Sequence, residues 1–365
     1  MGVVVLQNVW KKYGDVEAVK NLNLECKEGE FLALLGPSGC GKSSTLRMIA
    51  GLERITLGSI FIDGREVNAL EPRQRDIAMA FEAYALYPHL TAYENIAFPL
   101  RVRGMREQEV DRRVREIADT LDIGNILDRL PRHLSGGQQQ RISFARAMVR
   151  PARVYLMDEP LSHLDAKQRS QLRSELKRLH RFKGLTIVFV THDQIEAMAM
   201  ADRIAVMNLG VLQQVGTPLE VFNHPKNLFV ANFVGEPPIN LLSVTVRQEG
   251  QDILFTGDGF MIAMRDGRLA AAAAKLSTSK GVLGIRPMHI ALHRESVSPH
   301  SIPGNVTLYE GLGDTAVVTV QVGGNAVRVE TSPDVSVSIG ERVFLQFSAA
   351  HVHLFDQDTG ENLLH

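Results

Sequence analysis

Short apolar runs alternate with longer stretches of helix-favouring sequence over the first two thirds of the chain. Three of these runs, residues 31–35, 154–157 and 186–190, consist of aliphatic, aromatic and β-branched residues almost without interruption. Strands that are apolar on both faces are typical of a parallel sheet covered by helices on both sides. We therefore predict an α/β domain over residues 1–235.

A charged, helix-favouring stretch interrupts this pattern between about residues 88 and 150. Within segment 107–121 the aliphatic residues recur at intervals of three or four, which predicts an amphipathic helix with one buried face. These residues are Val110, Val114, Ile117 and Leu121. The stretch is predicted to form a helical subdomain inserted into the α/β domain.

Residues 235–240, with the sequence GEPPIN, break regular structure because consecutive prolines lack amide donors and disfavour helix in the residue before them. We place a domain boundary here, so that residues 236–365 form a second domain. Its short alternating runs predict mainly β-structure, including a hairpin of strands 317–322 and 326–329. The alanine-rich stretch 269–276 has two interpretations, a linker or a helical turn, and the linker is favoured.

Composition narrows the classes of function. The 40 lysines and arginines balance 41 aspartates and glutamates for a formal net charge of −1, which argues against binding nucleic acid or an anionic membrane. Two cysteines, Cys26 and Cys40, cannot form a disulfide framework or a four-ligand zinc site, so a reducing compartment is favoured. No apolar run reaches the ~18 to 20 residues that span a bilayer, and the apolar amino-terminal stretch is too short for a signal peptide. We expect a soluble chain whose membrane role depends on a partner.

The sequence GPSGCGKS at residues 36–43 fits the pattern G-x-x-x-x-G-K-[ST] and lies between an apolar run and a helix-compatible segment. In such a loop, backbone amides face phosphate oxygens, the lysine reaches the β- and γ-phosphates, and the hydroxyl of Ser43 is a ligand for magnesium. ATP and Mg²⁺ are therefore the predicted ligands. The predicted nucleotide-binding residues here are Gly36, Pro37, Ser38, Gly39, Cys40, Gly41, Lys42, Ser43 and Ser44.

The apolar run at residues 154–157 ends in two carboxylates, Asp158 and Glu159. Ligands of open α/β sheets bind beyond the carboxyl ends of the strands, so both residues are candidates for the site. Asp158 would hold magnesium, and Glu159 would act as general base on the water that attacks the γ-phosphate. An N-cap or a surface salt bridge is the alternative for an isolated Asp-Glu pair, but the phosphate loop favours catalysis.

A second glycine motif, LSGGQ at residues 134–138, precedes a segment with the buried-face pattern of a helix. Helix N-termini bind anions through their free amide groups. Since the chain already has a phosphate loop, one nucleotide does not account for both anion sites.

The order of these motifs, followed by LSHLDA and a strand ending in Thr-His-Asp, resembles that of the ABC transporter ATPases. The resemblance implies a P-loop ATPase cassette that works as a head-to-tail dimer, in which LSGGQ contacts ATP held by the partner subunit. It also implies that His192 touches the γ-phosphate and that Asp165 communicates across the dimer. Tyr13 would stack on adenine, with packing against the sheet as its alternative. The LSGGQ residues assigned to the nucleotide are Ser135, Gly136, Gly137 and Gln138.

Segment 81–89 resembles the loop through which importer ATPases meet the coupling helix of a permease, with one departure. Glu82 stands where the family usually has glutamine, so it keeps an oxygen for magnesium and the catalytic site but adds a charge. At ~5 Å from a phosphate charge and an effective dielectric of ~20, the repulsion would be roughly 3 kcal/mol and would slow hydrolysis. Three explanations remain open: compensation by the metal, protonation of Glu82, or pairing with a second ATPase that retains the glutamine. His163, where the family commonly has asparagine, is a smaller departure.

Residues 284–287 and the tail 354–360 resemble the OB-like regulatory domain that follows the cassette in sugar-importer ATPases, although Met288 replaces its usual acidic residue. The resemblance implies an ATPase subunit that drives uptake of a sugar, polyol or glycerol-type solute through two permease subunits, with a periplasmic binding protein. It would lie at the cytoplasmic face of the inner membrane. Two alternatives stay open: a mainly regulatory partner in a heterodimer, or a cytosolic ABC ATPase without a transporter.

Overall fold

The structure is a computed structural model that describes residues 2–276, 278–298 and 300–364. The chain divides into two compact units, Met1–Pro218 and Leu219–His365. The domain boundary expected between residues 235 and 236 and the limits of the helical subdomain stay predictions.

In chain order, the elements of the first unit are β1 (Val4–Tyr13), β2 (Val16–Cys26), β3 (Phe31–Leu35), α1 (Lys42–Ala50), β4 (Leu57–Ile62), β5 (Arg65–Glu66), β6 (Ile77–Ala80), α2 (Ala92–Arg101), α3 (Glu107–Thr120), α4 (Gly136–Met148), β7 (Val154–Asp158), α5 (Ala166–Lys183), β8 (Ile187–Thr191), α6 (Gln194–Met200), β9 (Arg203–Asn208) and β10 (Val211–Gly216). Helix α7 (Pro218–Asn223) comes next. The following elements are α8 (Leu228–Phe233), β11 (Asn240–Glu249), β12 (Asp252–Gly257), β13 (Phe260–Met264), α9 (Gly267–Ala273), β14 (Lys280–Ile285), β15 (Ile290–His293), β16 (Ile302–Gly311), β17 (Ala316–Val322), β18 (Asn325–Thr331), β19 (Arg342–Phe347) and β20 (His353–Asp356).

A mostly parallel six-stranded sheet forms the centre of the first unit, with the strand order β10-β9-β3-β8-β7-β6. Neighbours from β9 to β6 pair in parallel, and β10 pairs antiparallel with β9. Every residue of β3, β7 and β8 is buried, as the uninterrupted apolar runs predict. Because these three strands are neighbours, the residues that follow their carboxyl ends come together at one edge of the sheet.

The first unit also contains an antiparallel sheet, β2-β1-β4-β5, that the sequence analysis did not predict. Its long strands are irregular. The register between β1 and β2 shifts at several points, and Asn8 and Asn21 have φ angles of 50° and 45°. These irregularities interrupt the two-residue alternation by which an antiparallel strand is recognised in a sequence.

Helices α2, α3 and α4 lie in the stretch predicted to be helical. Helix α3 buries Val110, Val114 and Ile117, the face that the spacing predicts. Helix α4 begins directly after Ser135, so LSGGQ lies at a helix N-terminus as expected. Within the described part of the chain, no helix is both long and apolar enough to cross a bilayer.

Two five-stranded antiparallel sheets build the second unit, in the orders β13-β12-β11-β14-β20 and β15-β19-β16-β17-β18. Their buried side chains, among them Phe255 and Val318, form one core. The predicted hairpin is confirmed, because β17 and β18 pair antiparallel up to Val322 and Asn325 beside the turn. The mainly β-structure predicted for this part of the chain is therefore correct.

The alanine-rich stretch is a helix, so the favoured linker interpretation is wrong. Helix α9 begins after Asp266, whose carboxylate accepts a hydrogen bond from the Arg268 amide at 2.8 Å. Two residues of this helix, Leu269 and Ala272, are fully buried. A capping carboxylate and a small buried apolar face are sufficient to stabilise this short helix. Without tertiary burial, a helix of this length would be only marginally stable.

Candidate active site

Residues 36–43 connect β3 to α1 through a loop that requires glycine at its last turn. Gly41 is the N-cap of α1 with a φ of 103°, a conformation that other residues rarely adopt. A Cβ atom there would lie 2.5 Å from the carbonyl oxygen of Ala18. None of the described side chains caps α1, so amide groups of its first turn are available to an anion.

The ammonium group of Lys42 is held inside this loop. It donates to the carbonyl oxygens of Gly36 at 2.8 Å and Pro37 at 2.9 Å, and the residue is buried. The Cys40 thiol lies 3.9 Å from the ammonium nitrogen, and burial raises its pKa, which keeps it protonated. The loop therefore combines a desolvated positive charge with free amides, an arrangement that binds phosphate.

Ser43 and Asp158 meet at the edge of the sheet. The Ser43 hydroxyl donates to Oδ1 of Asp158 at 2.8 Å, and Asp158 is only 4% exposed. Burial raises the pKa of Asp158; the Ser43 hydrogen bond and Arg47 oppose the shift, while the charges of Glu159 and Glu82 add to it. A cation bound here would relieve the repulsion among these carboxylates.

Glu159 and His192 form a hydrogen-bonded pair. Glu159 follows β7 with a φ of 41°, a strained conformation of the kind that is frequent at functional sites. Its Oε2 lies 2.8 Å from Nδ1 of His192, which follows β8. The His192 side chain is about half exposed. The pair is therefore accessible to a substrate at the same sheet edge as the phosphate loop.

Tyr13 lies at the end of β1, next to the first turn of α1. Its hydroxyl is 3.1 Å from Ser44 Oγ and also hydrogen-bonds Glu53. The Lys11 ammonium lies 4.5 Å from the ring centroid. Burial, followed by the Glu53 hydrogen bond, raises the pKa of Tyr13. The residue is 45% exposed, so its ring is accessible for stacking, and adenine binding stays a prediction.

The LSGGQ segment fixes the start of α4 with its own side chains. Ser135 Oγ accepts from the Gln138 amide at 3.3 Å, and Gln138 Oε1 accepts from the Ser135 amide at 3.0 Å, which is a capping box. A Cβ atom at Gly137 would overlap the side-chain amide of Gln168. The backbone N–H of Gln168 donates to Oδ1 of Asp165, the N-cap of α5, at 2.9 Å. The two segments expected at the dimer interface therefore contact each other within one subunit.

The two residues that depart from the family pattern lie together. Glu82 Oε1 is 3.6 Å from His163 Nε2, with about half of each side chain exposed. The Tyr84 ring packs edge-on against the His163 ring, with 6.2 Å between centroids. His163 was expected to be the smaller of the two departures from the family pattern. No local sequence pattern places it beside Glu82. The contact joins loop 81–89 to the loop that follows Glu159.

Arg146, on α4, is a residue that the sequence analysis missed. It donates to the backbone carbonyls of Tyr84 at 3.1 Å and Ala85 at 2.6 Å. Burial lowers the pKa of Arg146. The helix that begins at LSGGQ therefore holds the loop that contains Glu82. No local signal marks this arginine, because its partners are backbone atoms of a distant loop.

An open groove of about 660 Å³ lies beside this loop in the first unit. Its apolar wall includes Phe81, Tyr87, Phe98 and Val102, each at least 37% exposed. Its charged lining residues are Arg73, Asp76, Arg103, Arg146 and Arg150. Exposed apolar surface rimmed by charge is typical of a protein-binding site.

Hydrolysis of a nucleoside triphosphate is the chemistry that this sheet edge supports, because a phosphate loop, an acidic pair and a histidine converge there. The first unit therefore has the form of a P-loop ATPase. Residues 19–162 match the ABC transporter family, and residues 283–355 match the TOBE domain. A dimeric structure of the ATP-binding cassette MJ0796 with ADP and phosphate is similar, with a TM-score of 0.54 and 35% identity, covering 59% of this chain and 98% of that chain.

Two relatives match over their whole length. The trehalose/maltose import ATP-binding protein MalK of Thermococcus litoralis is 46% identical and aligns over 99% of each chain. The sn-glycerol-3-phosphate import ATP-binding protein UgpC of Cupriavidus necator is 46% identical over 100% of each. This chain therefore belongs to the ATP-binding proteins of ABC transporters, and it is an ABC-type ATPase. The resemblance seen in the motifs is confirmed, and these relatives give no support to a non-transport ATPase or a mainly regulatory subunit.

Proposed function

We propose that this chain hydrolyses ATP to power uptake of a sugar, polyol or glycerol-type solute through a membrane permease. The observation that carries the proposal is the full-length similarity to two import ATP-binding proteins, one named for trehalose and maltose and one for sn-glycerol 3-phosphate. The permease and a periplasmic binding protein would select the solute, so the proposal names a class of solutes and no single compound.

The residues at the sheet edge have separate parts in hydrolysis. Lys42 and the loop amides bind the β- and γ-phosphates, with Lys42 exchanging its carbonyl partners for phosphate oxygens. Glu159 takes a proton from water as the water oxygen bonds to the γ-phosphorus, and the bond from that phosphorus to the bridging oxygen breaks, which releases ADP. His192 holds Glu159 through Nδ1; donation from Nε2 to the γ-phosphate would require the doubly protonated ring, in which both nitrogens donate.

Magnesium fits the oxygen donors beside the phosphate loop. The Ser43 hydroxyl and the Asp158 carboxylate already meet, and Asp158 is buried near two further carboxylates. Hard divalent cations prefer such oxygen ligands. Ser43, Asp158 and Glu82 would hold Mg²⁺, which when bound neutralises charge on the transferred phosphate.

The chain would act as a dimer in which each subunit completes the other's site. The free amides at the start of α4, together with Ser135 and Gly137, would contact ATP bound to the partner's phosphate loop. The contact of Gly137 with Gln168, next to the Asp165 cap, would couple this helix to the loop after Glu159. A dimeric state of a similar cassette supports this arrangement. The partner is a second copy or another ATPase of the same family.

The groove beside loop 81–89 is the proposed docking site for the permease. An amphipathic helix laid in it would bury Phe81, Tyr87 and Phe98 and would place a carboxylate against the surrounding arginines. Arg146 connects this loop to α4, so docking would be transmitted to LSGGQ. The complex would hold the chain at the cytoplasmic face of the membrane.

Reconstitution with permease subunits of a sugar or glycerol 3-phosphate importer tests the proposal. The purified complex is placed in proteoliposomes with internal ATP, and accumulation of maltose, trehalose and sn-glycerol 3-phosphate is measured with the matching binding protein. We expect ATP-dependent uptake of one such solute and none with internal ADP. The proposed role in import is contradicted if the chain hydrolyses ATP but neither binds a permease nor supports uptake of any solute of this class.

A further inference from the structure

The second unit contains a pocket of about 440 Å³ that the ATPase site does not use. Its size lies in the range of small-molecule sites. The basic residues that line it are His224, His289, His351, His353, Arg268 and Arg286. None of the described lining residues is acidic. The pocket wall therefore combines several positive or protonatable groups, of which Arg268 is paired with the carboxylate of Asp266.

Arg286 supplies a buried positive charge to this pocket. It is only 2% exposed. Its guanidinium donates to the carbonyl oxygens of Phe222 at 2.5 and 3.2 Å and of Val234 at 2.7 Å, and it lies 3.6 Å from the Phe222 ring centroid. Burial lowers the pKa of Arg286 to about 10, which leaves it charged at neutral pH. A buried charge surrounded by neutral partners gains stability from an anion.

His289 adds a polar atom that the described residues do not satisfy. Its Nδ1 is buried and has no hydrogen-bond partner among them. Its ring meets the His351 ring edge to face, with centroids 3.9 Å apart. Burial, His351 and Arg286 lower the pKa of His289, because each opposes a further positive charge. In the neutral ring a proton on Nδ1 has no acceptor among the described residues, and an oxyanion would provide one.

Arg268 lines the pocket from the first turn of α9. Its Nε and Nη2 bond the carboxylate of Asp266, with Nη2 at 2.7 Å. The same Nη2 lies 3.3 Å from the Ala350 carbonyl oxygen. The Nη1 group makes no hydrogen bond to a described residue, so it can donate to a ligand.

We propose that this pocket binds inorganic phosphate or a small phosphate monoester. A tetrahedral oxyanion accepts hydrogen bonds in several directions, which suits donors that come from Arg268, Arg286 and His289 on separate elements. A cation is a poor fit, since both guanidinium groups would repel it and neither can ligate it. The volume also leaves room for the organic part of a phosphorylated metabolite. None of its described lining residues belongs to the phosphate loop.

Calorimetric titration of the full-length chain with inorganic phosphate and with glycerol 3-phosphate tests the proposal. It is done in the Lys42→Ala background, which weakens phosphate binding at the ATPase site, at constant ionic strength with glycerol and chloride as controls. We expect saturable binding of phosphate or its ester. In the same background, Arg268→Gln with His351→Gln should weaken it about tenfold or more, because charge-assisted bonds are lost. Arg265→Gln, whose arginine pairs with Asp252 outside the pocket, is the matched control and should bind normally.

Tighter binding of the ester than of phosphate would assign the site to a phosphorylated metabolite, and equal or weaker binding would assign it to the free anion. Thermal unfolding without ligand confirms that the variants fold. The proposal is overturned if the Lys42→Ala protein binds neither probe. It is also overturned if the pocket variant binds as tightly as the Arg265→Gln control, or if a zinc ion but neither phosphate probe binds there.

Discussion

The Oε1 atom of Glu82 lies 3.6 Å from the Nε2 atom of His163, so the two departures from the family pattern form a single contact. The charge of Glu82 reaches Asp158, since it contributes to the raised pKa of that buried carboxyl. His163 is the polar side chain that contacts the Glu82 carboxylate, so its removal would change the surroundings of this charge. The two substitutions are therefore best understood as one change in the site.

A double-mutant cycle tests this relationship. Glu82→Gln should raise kcat for ATP about threefold to tenfold, because it removes repulsion that is largely screened at a half-exposed side chain. His163→Asn alone should lower kcat/KM, since Glu82 then loses its imidazole neighbour at 3.6 Å. In the Glu82→Gln background the same change should have little effect. Steady-state ATPase rates of the four proteins measure the coupling, and additive effects would show that the contact has no role.

The buried carboxylate of Asp158 should reduce stability while it supports catalysis. Asp158→Asn keeps an oxygen for the Ser43 hydroxyl but removes a charge whose burial is unfavourable, so we expect a gain of about 1 kcal/mol in the free energy of unfolding without nucleotide. ATP hydrolysis should fall to background. Urea unfolding and ATPase assays measure both changes, and a less stable variant would contradict the account.

The same variant predicts a pH dependence with a definite sign. Because the pKa of Asp158 is raised, the folded protein holds this proton more tightly than the unfolded chain does, and ionisation opposes folding. The stability advantage of Asp158→Asn should therefore grow as pH rises through the interval between the unfolded and folded pKa values, and stay constant above it. Unfolding at about pH 4.5 and about pH 7.5 checks the difference.

His192→Ala should lower kcat strongly with a small change in KM. The substitution removes the partner that holds Glu159 at 2.8 Å and the second ring nitrogen that we propose contacts the γ-phosphate, while Lys42 and the loop should still bind ATP. A loss of about 100-fold in kcat is expected for such a group. His133→Ala, at an exposed histidine outside the site, is the control. An equal loss of kcat in His192→Ala and His133→Ala would contradict a catalytic role for His192.

Arg146→Gln should uncouple docking from hydrolysis. Its bonds to the carbonyls of Tyr84 and Ala85 would be lost or weakened, so the permease complex should show reduced uptake for each ATP hydrolysed, with basal ATPase largely kept. Arg115→Gln, at an exposed helical arginine that pairs with Asp111, serves as the control. Uptake and hydrolysis that fall in proportion would contradict this prediction.

The parts of the fold that could be predicted share a local cause. The strand Phe31–Leu35 is apolar on both faces, which indicates burial on both sides. Helix α3 carries its apolar residues at helical spacing, which indicates burial of one face. The phosphate loop was recognisable because its glycines are needed at fixed positions, as Gly41 shows. By contrast, β1 and β2 contain shifts in register that remove the alternation, and α9 depends on burial supplied by the rest of the unit.

Contacts between distant segments could not be predicted from the sequence. His163 and Glu82 belong to separate loops, so their contact does not follow from their positions in the sequence. Arg146 donates to backbone carbonyls, which every residue type has, so the sequence does not identify its partners. The pocket at Arg286 and His289 is likewise lined by segments that lie far apart in the sequence, from Asn223 to Leu364. Single residues that act through long-range geometry become visible in the structure, whereas motifs that act through local backbone shape are visible in the sequence.

Glu159→Gln provides the most direct test that hydrolysis at this site drives uptake. The wild-type and variant complexes, each reconstituted with the permease, are assayed for phosphate release and solute accumulation in the same vesicles. The variant should still bind ATP, because the phosphate loop is intact, but should lose both hydrolysis and uptake by about 100-fold or more. Uptake that continues at the wild-type rate in the variant would contradict the central claim.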